Sequence, residues 1–237
     1  MSATDGIGTA KEKGIHAALK AYYCGPDGKM ETEIGNYVCD ALRRDGEIIE
    51  VQTGNFAPAQ EKFMKLAGIS RIRIVHPIVV SRIIELFDKE GIRIRTRRSP
   101  KKGSQWDLFR VMVGAPKLPL TPNLTIEMVF VEEKETRISD GRGSWRRGGV
   151  SIVERDLLSI RESINLRGME SFRRFLPEGL EEIFGTAELA KACSIRPDLA
   201  RKVLYVLSRM GLILPAGKRG NAKIYRASPL NIMPVNY

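Results

Sequence analysis

Residues 38–53 read Val38-Cys39-Asp40-Ala41-Leu42-Arg43-Arg44-Asp45-Gly46-Glu47-Ile48-Ile49-Glu50-Val51-Gln52-Thr53, and this stretch decides the fold. It reads as two strands around a tight turn. Alternate side chains of an extended chain share a face, so Ile34, Val38, Asp40 and Leu42 fall together. On the second strand Ile48, Glu50 and Gln52 share one face, and Ile49, Val51 and Thr53 the other. Each strand sets a carboxylate into an apolar run, where burial is costly unless something pairs with it. A two-residue Asp45-Gly46 turn puts Asp40 opposite Val51. A three-residue loop, Arg44-Asp45-Gly46 with Gly46 in the left-handed bulge position, puts Asp40 opposite Glu50 and Val38 opposite Gln52. The sequence allows both. In the second register the paired Cβ atoms sit roughly 5 Å apart. Carboxylates that close repel, so one takes a proton or both share a cation. Hard oxygen ligands with open positions suit Mg²⁺ or Mn²⁺.

Upstream, the spacing of Glu12, Ile15, His16, Leu19, Tyr22 and Tyr23 predicts a helix over 10–24,. Gly25-Pro26-Asp27-Gly28 ends it. Downstream, Asn55 is placed to cap and Pro58 to open a helix reaching about residue 67. Its buried side is Ala59, Phe63, Leu66 and Ala67, and Lys62 and Lys65 lie near its middle. Residues 71–77 then read as a strand, returning parallel to 48–53 as a right-handed βαβ unit.

The order helix, strand, strand, helix, strand, with acids on the first helix and on both hairpin strands, resembles the PD-(D/E)xK nuclease superfamily. That superfamily includes many restriction endonucleases and archaeal-type Holliday junction resolvases. The likeness covers residues 10–80. It rests on Glu12, Asp40 and the Glu50-Val51-Gln52 element. The resemblance implies a restriction endonuclease-like mixed-sheet core and divalent metal at Asp40 and Glu50, with Glu12 supporting the shell. The usual lysine is Gln52 here. Gln52 can hold a water by hydrogen bonds but supplies no charge. Lys62, on the following helix, is the expected source of a cation. Enzymes of this fold often act as dimers, so a homodimer or a larger nucleoprotein complex is the implied assembly.

Further along, 81–89 reads as a helix built on Ile83, Ile84, Leu86 and Phe87. Ile92 and Ile94 alternate with Arg93 and Arg95 as an edge strand with a basic outer face. Residues 97–103 form an exposed basic loop in which Arg97, Arg98, Lys101 and Lys102 can grip phosphates. Residues 106–113 suggest a short helix and 124–131 a strand, with Glu127 in a structural ion pair. In 137–149 four glycines and four arginines surround Trp145. With Arg142, Arg146 and Arg147, such a loop can wrap a backbone and stack a base; it lacks phosphate-loop spacing. Residues 151–165 and 169–176 read as helices.

A smaller unit follows. A short helix over 187–193 capped by Thr186, a turn at 194–197, an amphipathic helix over 198–210 and a basic hairpin come in the winged-helix order. Residues 184–227 resemble winged helix-turn-helix domains. The implied contacts are Arg196 in the turn and Arg201, Lys202 and Arg209 on the groove-facing helix. Lys218, Arg219 and Lys223 belong to the wing.

Composition agrees. The net charge of +11 favours a polyanionic partner, DNA above all,. Eight Lys or Arg fall between Gly91 and Lys117 against one acid, Asp107, and seven follow Asp198 with no acid. Three cysteines without a CxxC pair read as reduced thiols,. No secretory signal and no membrane-spanning run is seen, so a cytoplasmic protein is expected. The expected division is a leader over 1–9, a nuclease-like α/β domain over 10–150, a helical connector over 151–183 and a winged helix over 184–237. The expected function is a Mg²⁺- or Mn²⁺-dependent DNA endonuclease, a hydrolase of phosphodiester bonds. The alternative is a non-catalytic DNA-binding regulator, or a nucleoprotein-complex subunit, whose acids pair with Arg73 or Lys62 on a degenerate nuclease fold.

Overall fold

The computed structural model describes residues 14–228; the expected leader and Glu12 lie outside them. The chain is mixed α/β and carries a large mixed sheet. Helix α1 (Ile15–Cys24) buries Ile15, Leu19 and Tyr23, each four residues on, with Cys24 next to the last,. Three strands follow, β1 (Lys29–Ile34), β2 (Tyr37–Leu42) and β3 (Ile48–Val51). β1 has no counterpart among the strands expected from the sequence.

The turn between β2 and β3 is the three-residue one. Ala41 faces Ile49 and Leu42 faces Ile48. The N–H of Arg43 donates to the Glu47 carbonyl at 3.0 Å, and that of Gly46 to the Arg43 carbonyl at 3.0 Å. Gly46 has φ 79°, which a residue with a Cβ adopts only under strain,. The covered face of β2 is not the expected one, however. Cys39 and Ala41 are fully buried, whereas Val38 is 53% exposed. A single short strand carries too few apolar residues to say which side will be covered.

A 3₁₀ turn (Ala57–Ala59) and helix α2 (Gln60–Ala67) lead to β4 (Ile72–Phe87). β4 passes through Pro77 and over 81–87, the segment expected to be helical. β5 (Arg93–Arg98) pairs antiparallel with its far end and is exposed throughout, as an edge strand should be. Helix α3 (Leu108–Met112) is short. β6 (Leu124–Ser144) extends well beyond 131, and β7 (Val150–Leu166) occupies the stretch expected as a helix over 151–165. The seven strands run β1-β2-β3-β4-β6-β7, with β5 on β4.

The long strands hold together by charge where the sequence lacks apolar alternation. Glu133 and Glu135 are buried and meet Arg82, while Glu135 also meets Arg155 at 2.8 Å. Lys134 pairs with Asp156 at 3.1 Å and Arg161 with Glu132 at 2.8 Å.

The chain divides into two units, each built from separated segments. The first comprises residues up to 53, 73–105 and 127–164. Its core sets Ile15, Leu19 and Tyr23 of α1 with Ala41, Ile49, Val51, Val75, Val129 and Val131. The second comprises 54–72, 106–126 and 165 onward. It holds a 3₁₀ turn (Glu170–Phe175), β8 (Ile183–Phe184), α4 (Thr186–Ala192), α5 (Pro197–Met210), β9 (Ile213–Arg219) and β10 (Ala222–Ala227). Trp106, Phe109, Phe172 and Phe175 form an aromatic cluster here, with Phe109 and Phe175 centroids 4.8 Å apart. β8, β10 and β9 make a small sheet behind the two helices. No helix among the described residues is long and apolar enough to cross a membrane.

Candidate functional site

Two places concentrate chemistry, one in each unit. In the first, the hairpin ladder ends above the Ala41–Ile49 pair, and Asp40 sits where β2 leaves β3. Its Oδ2 accepts the Val51 N–H at 2.7 Å and lies 3.4 Å from His16 Nε2. Its Oδ1 lies 3.5 Å from Lys20 Nζ. His16 and Lys20 are four residues apart on α1 and so project from one flank of it. Lys20 is 5% exposed and also bonds Glu31 at 3.2 Å. Glu31 stands between the β1–β2 pairs Met30–Ala41 and Thr32–Cys39, with φ 51°, an uncommon conformation for a residue other than glycine,. The β1 backbone thus deforms at the position beside Asp40, and its Glu31 carboxylate turns to Lys20.

Burial pushes the Asp40 carboxyl up. The His16 hydrogen bond, the Val51 N–H and the charges of His16 and Lys20 outweigh it and hold the group below the usual carboxylate range. The cation beside Asp40 is therefore Lys20, which sequence reasoning missed. Its spacing from His16 was the available signal. Lys62 lies on α2, in the second unit.

Glu50 is buried at 6% exposure. Its neighbours Ile49 and Val51 both join the cluster around α1, so by strand alternation Glu50 projects to the other face,. Gln52 is half-buried, and its carbonyl oxygen is 2.6 Å from Nδ1 of the buried His76. Both Asp40 oxygens already face N–H or cationic groups, and among the described residues no three His, Cys, Asp or Glu side chains converge on a point. The donor set as arranged does not fit a divalent cation. Glu127, expected in an ion pair, is in one: it meets Arg73 and accepts the Tyr23 hydroxyl at 2.7 Å, and Arg73 also holds Glu47 at 3.0 Å.

The basic residues expected to contact nucleic acid are exposed, except the half-buried Lys202. Arg97 and Arg98 lie within β5 rather than in a loop, and Lys101 and Lys102 follow it. Arg142, Trp145, Arg146 and Arg147 crown the β6–β7 hairpin.

In the second unit Arg196 and Arg219 are tied to Asp198 at 3.0 Å and Glu188 at 2.6 Å. Arg201, Lys202, Lys218 and Lys223 form no ion pair among the described residues. Arg201 on α5 and Lys223 on β10 line one groove of about 520 Å³, together with Thr186 and Asn221. Two cations, a hydroxyl and an amide around an open groove make a donor set suited to phosphate oxygens.

The fold and these sites define a mixed α/β chain with a basic helix–turn–helix and hairpin after its large sheet. The chain belongs to the family described as Domain of unknown function (DUF8091), which matches residues 13–167, ending with β7. It is also similar to a Treponema pallidum (strain Nichols) protein described as an uncharacterized protein. The two are 30% identical over 223 residues, covering 94% of this chain and 88% of the relative. No solved structure matches.

Proposed function

We propose that this chain is a nucleic-acid-binding protein whose C-terminal unit is a winged helix-turn-helix, with DNA as its partner. The observation that carries this reading is the groove between α5 and the β9–β10 hairpin, where Arg201 and Lys223 stand over Thr186 and Asn221. No acid follows Asp198, and Glu188 on α4 is neutralised by Arg219, which limits like-charge repulsion of a phosphate backbone at that surface,. Exposed Arg95, Arg97 and Arg98 of β5 add a second basic surface in the first unit. Fluorescence anisotropy with a labelled duplex tests it. Six or more phosphate contacts make affinity fall roughly 10³-fold or more from low to moderate salt. Absence of binding at low salt rejects the reading.

A second reading, phosphodiester hydrolysis on a PD-(D/E)xK-like core, is supported by one specific observation. The order α1-β1-β2-β3-α2-β4 matches the expected one with one added edge strand. Lys20 beside Asp40 would take the cationic part that Gln52 cannot fill, and His16 could hold or release a proton there. Since the donors as arranged do not fit a divalent ion, no step is derived through one. Plasmid nicking in Mg²⁺ or Mn²⁺, lost in Asp40→Asn, is the result this reading requires; an intact plasmid leaves binding as the whole function.

A further inference from the structure

The two tryptophans of the chain are in opposite situations. Trp106 packs against Phe175 with centroids 5.5 Å apart, inside the aromatic cluster of the second unit. Trp145 is 83% exposed, at the tip of the β6–β7 hairpin in the first. An indole left in water forgoes a large apolar burial, so its position calls for a partner. Arg146 stands over the ring, its guanidinium carbon 5.5 Å from the centroid, and Arg142 and Arg147 are exposed beside it.

The tip is built to hold the ring out. Gly148 donates to the Trp145 carbonyl at 3.0 Å, Gly143 to the Gly149 carbonyl at 3.0 Å, and Arg147 Nε to the Val150 carbonyl at 3.2 Å. Asp140 fixes the strand beneath, accepting from the Arg142 N–H at 3.0 Å and the Ser151 hydroxyl at 2.9 Å. Glycine is required here: a Cβ on Gly143 would lie 1.9 Å from the Val150 oxygen, and Gly148 and Gly149 have φ 64° and 78°,. These bonds give the aromatic platform a defined geometry.

We propose that this tip stacks on an unpaired base, and so directs the chain to single-stranded stretches of nucleic acid. The inference rests on the nucleic-acid-binding reading and deepens it. A flat ring stacks on any base, but only where the base face is exposed, as in single strands, loops and ends. In a continuous duplex those faces are covered. The three arginines supply the charge that follows the phosphates on either side of the stacked base.

The test uses the full chain carrying Trp106→Phe, so that Trp145 is the sole indole fluorophore. An unstructured oligothymidine of ~20 nucleotides and a duplex of the same length are titrated in turn. Stacking predicts quenching of the indole by the single strand. It also predicts that Trp145→Ala weakens single-strand binding roughly tenfold, with Trp145→Phe between and duplex binding changed less than about twofold. An unchanged single-strand affinity in Trp145→Ala, or an equal loss on both ligands, overturns this proposal while leaving nucleic-acid binding standing. An emission response to anionic vesicles and none to oligonucleotide also overturns it. Binding of neither nucleic acid by the wild-type chain overturns both.

Discussion

Asp40 and Val51 are joined across the parted hairpin: Oδ2 of Asp40 accepts the Val51 N–H at 2.7 Å, in place of a ladder bond between the strands. The same carboxylate faces the buried Lys20 and His16, so one side chain closes the gap between β2 and β3 and ties both to α1.

Replacing Asp40 therefore destabilises the first unit. Asp40→Ala strands the Val51 N–H and removes one carboxylate from the buried Lys20, at a cost of about 2–4 kcal/mol,. Asp40→Asn keeps an acceptor for Val51 and costs about 1–2 kcal/mol. Urea unfolding measures both, and equal losses in the two variants count against a role for the charge.

The same carboxylate titrates below its ordinary range because the His16 hydrogen bond, the Val51 N–H and the nearby cations outweigh burial. A depressed folded-state pKa gives stability that is present above the unfolded value, about 3.9, and is lost as pH falls through the folded one. Unfolding free energy should accordingly decline below about pH 4, and Asp40→Asn should decline less steeply than wild type. Parallel pH profiles would refute the assignment.

Tyr23 works in the opposite sense. Burial, then the hydrogen bond and charge of Glu127, push its phenol up beyond the ordinary tyrosine range. Its contribution is present below the unfolded pKa near 10 and fades as pH rises past it. Burial also pushes the Tyr225 phenol up, so ultraviolet titration should show Tyr23 and Tyr225 resisting ionisation near pH 10, and Tyr23→Phe should remove one of the two,. Removing Arg73 instead, as Arg73→Met, leaves Glu47 and Glu127 buried without their shared cation and should cost about 3–5 kcal/mol in urea unfolding,.

Much of this was legible in the sequence, for identifiable reasons. Gly46 can take the left-handed bulge position that a three-residue loop demands, so the observed register was one of the two the sequence allowed. The C-terminal helices carried apolar stripes at helical spacing, with Leu199, Val203, Val206 and Leu207 all buried. The long strands were illegible because their order comes from partners far along the chain. Val153, Leu157, Leu158 and Ile160 have helix-like spacing, but pairing of β7 with β6 overrides it,. At Glu133 and Glu135 ion pairs with Arg82 and Arg155 replace apolar contacts, erasing the alternation that marks a strand. The expectation of an Asp40–Glu50 metal pair was drawn from the three-residue register alone. It missed that the strands part at Asp40 and that Lys20 occupies its carboxylate.

Metal binding separates the two functional readings. Because Lys20, His16 and the Val51 N–H already surround Asp40, calorimetric titration of the chain alone with Mn²⁺ should give no heat that depends on Asp40. A saturable site lost in Asp40→Asn would favour the hydrolytic reading.

The most direct test of nucleic-acid binding is the salt dependence of duplex affinity, for wild type and for Arg201→Ala/Lys223→Ala, by fluorescence anisotropy. Each phosphate contact contributes a slope of about 0.9 in log K against log salt, so the double variant should bind more weakly and lose about 2 from the slope. A double variant with the wild-type affinity and slope would contradict the assignment of the α5–hairpin groove as the phosphate-gripping surface.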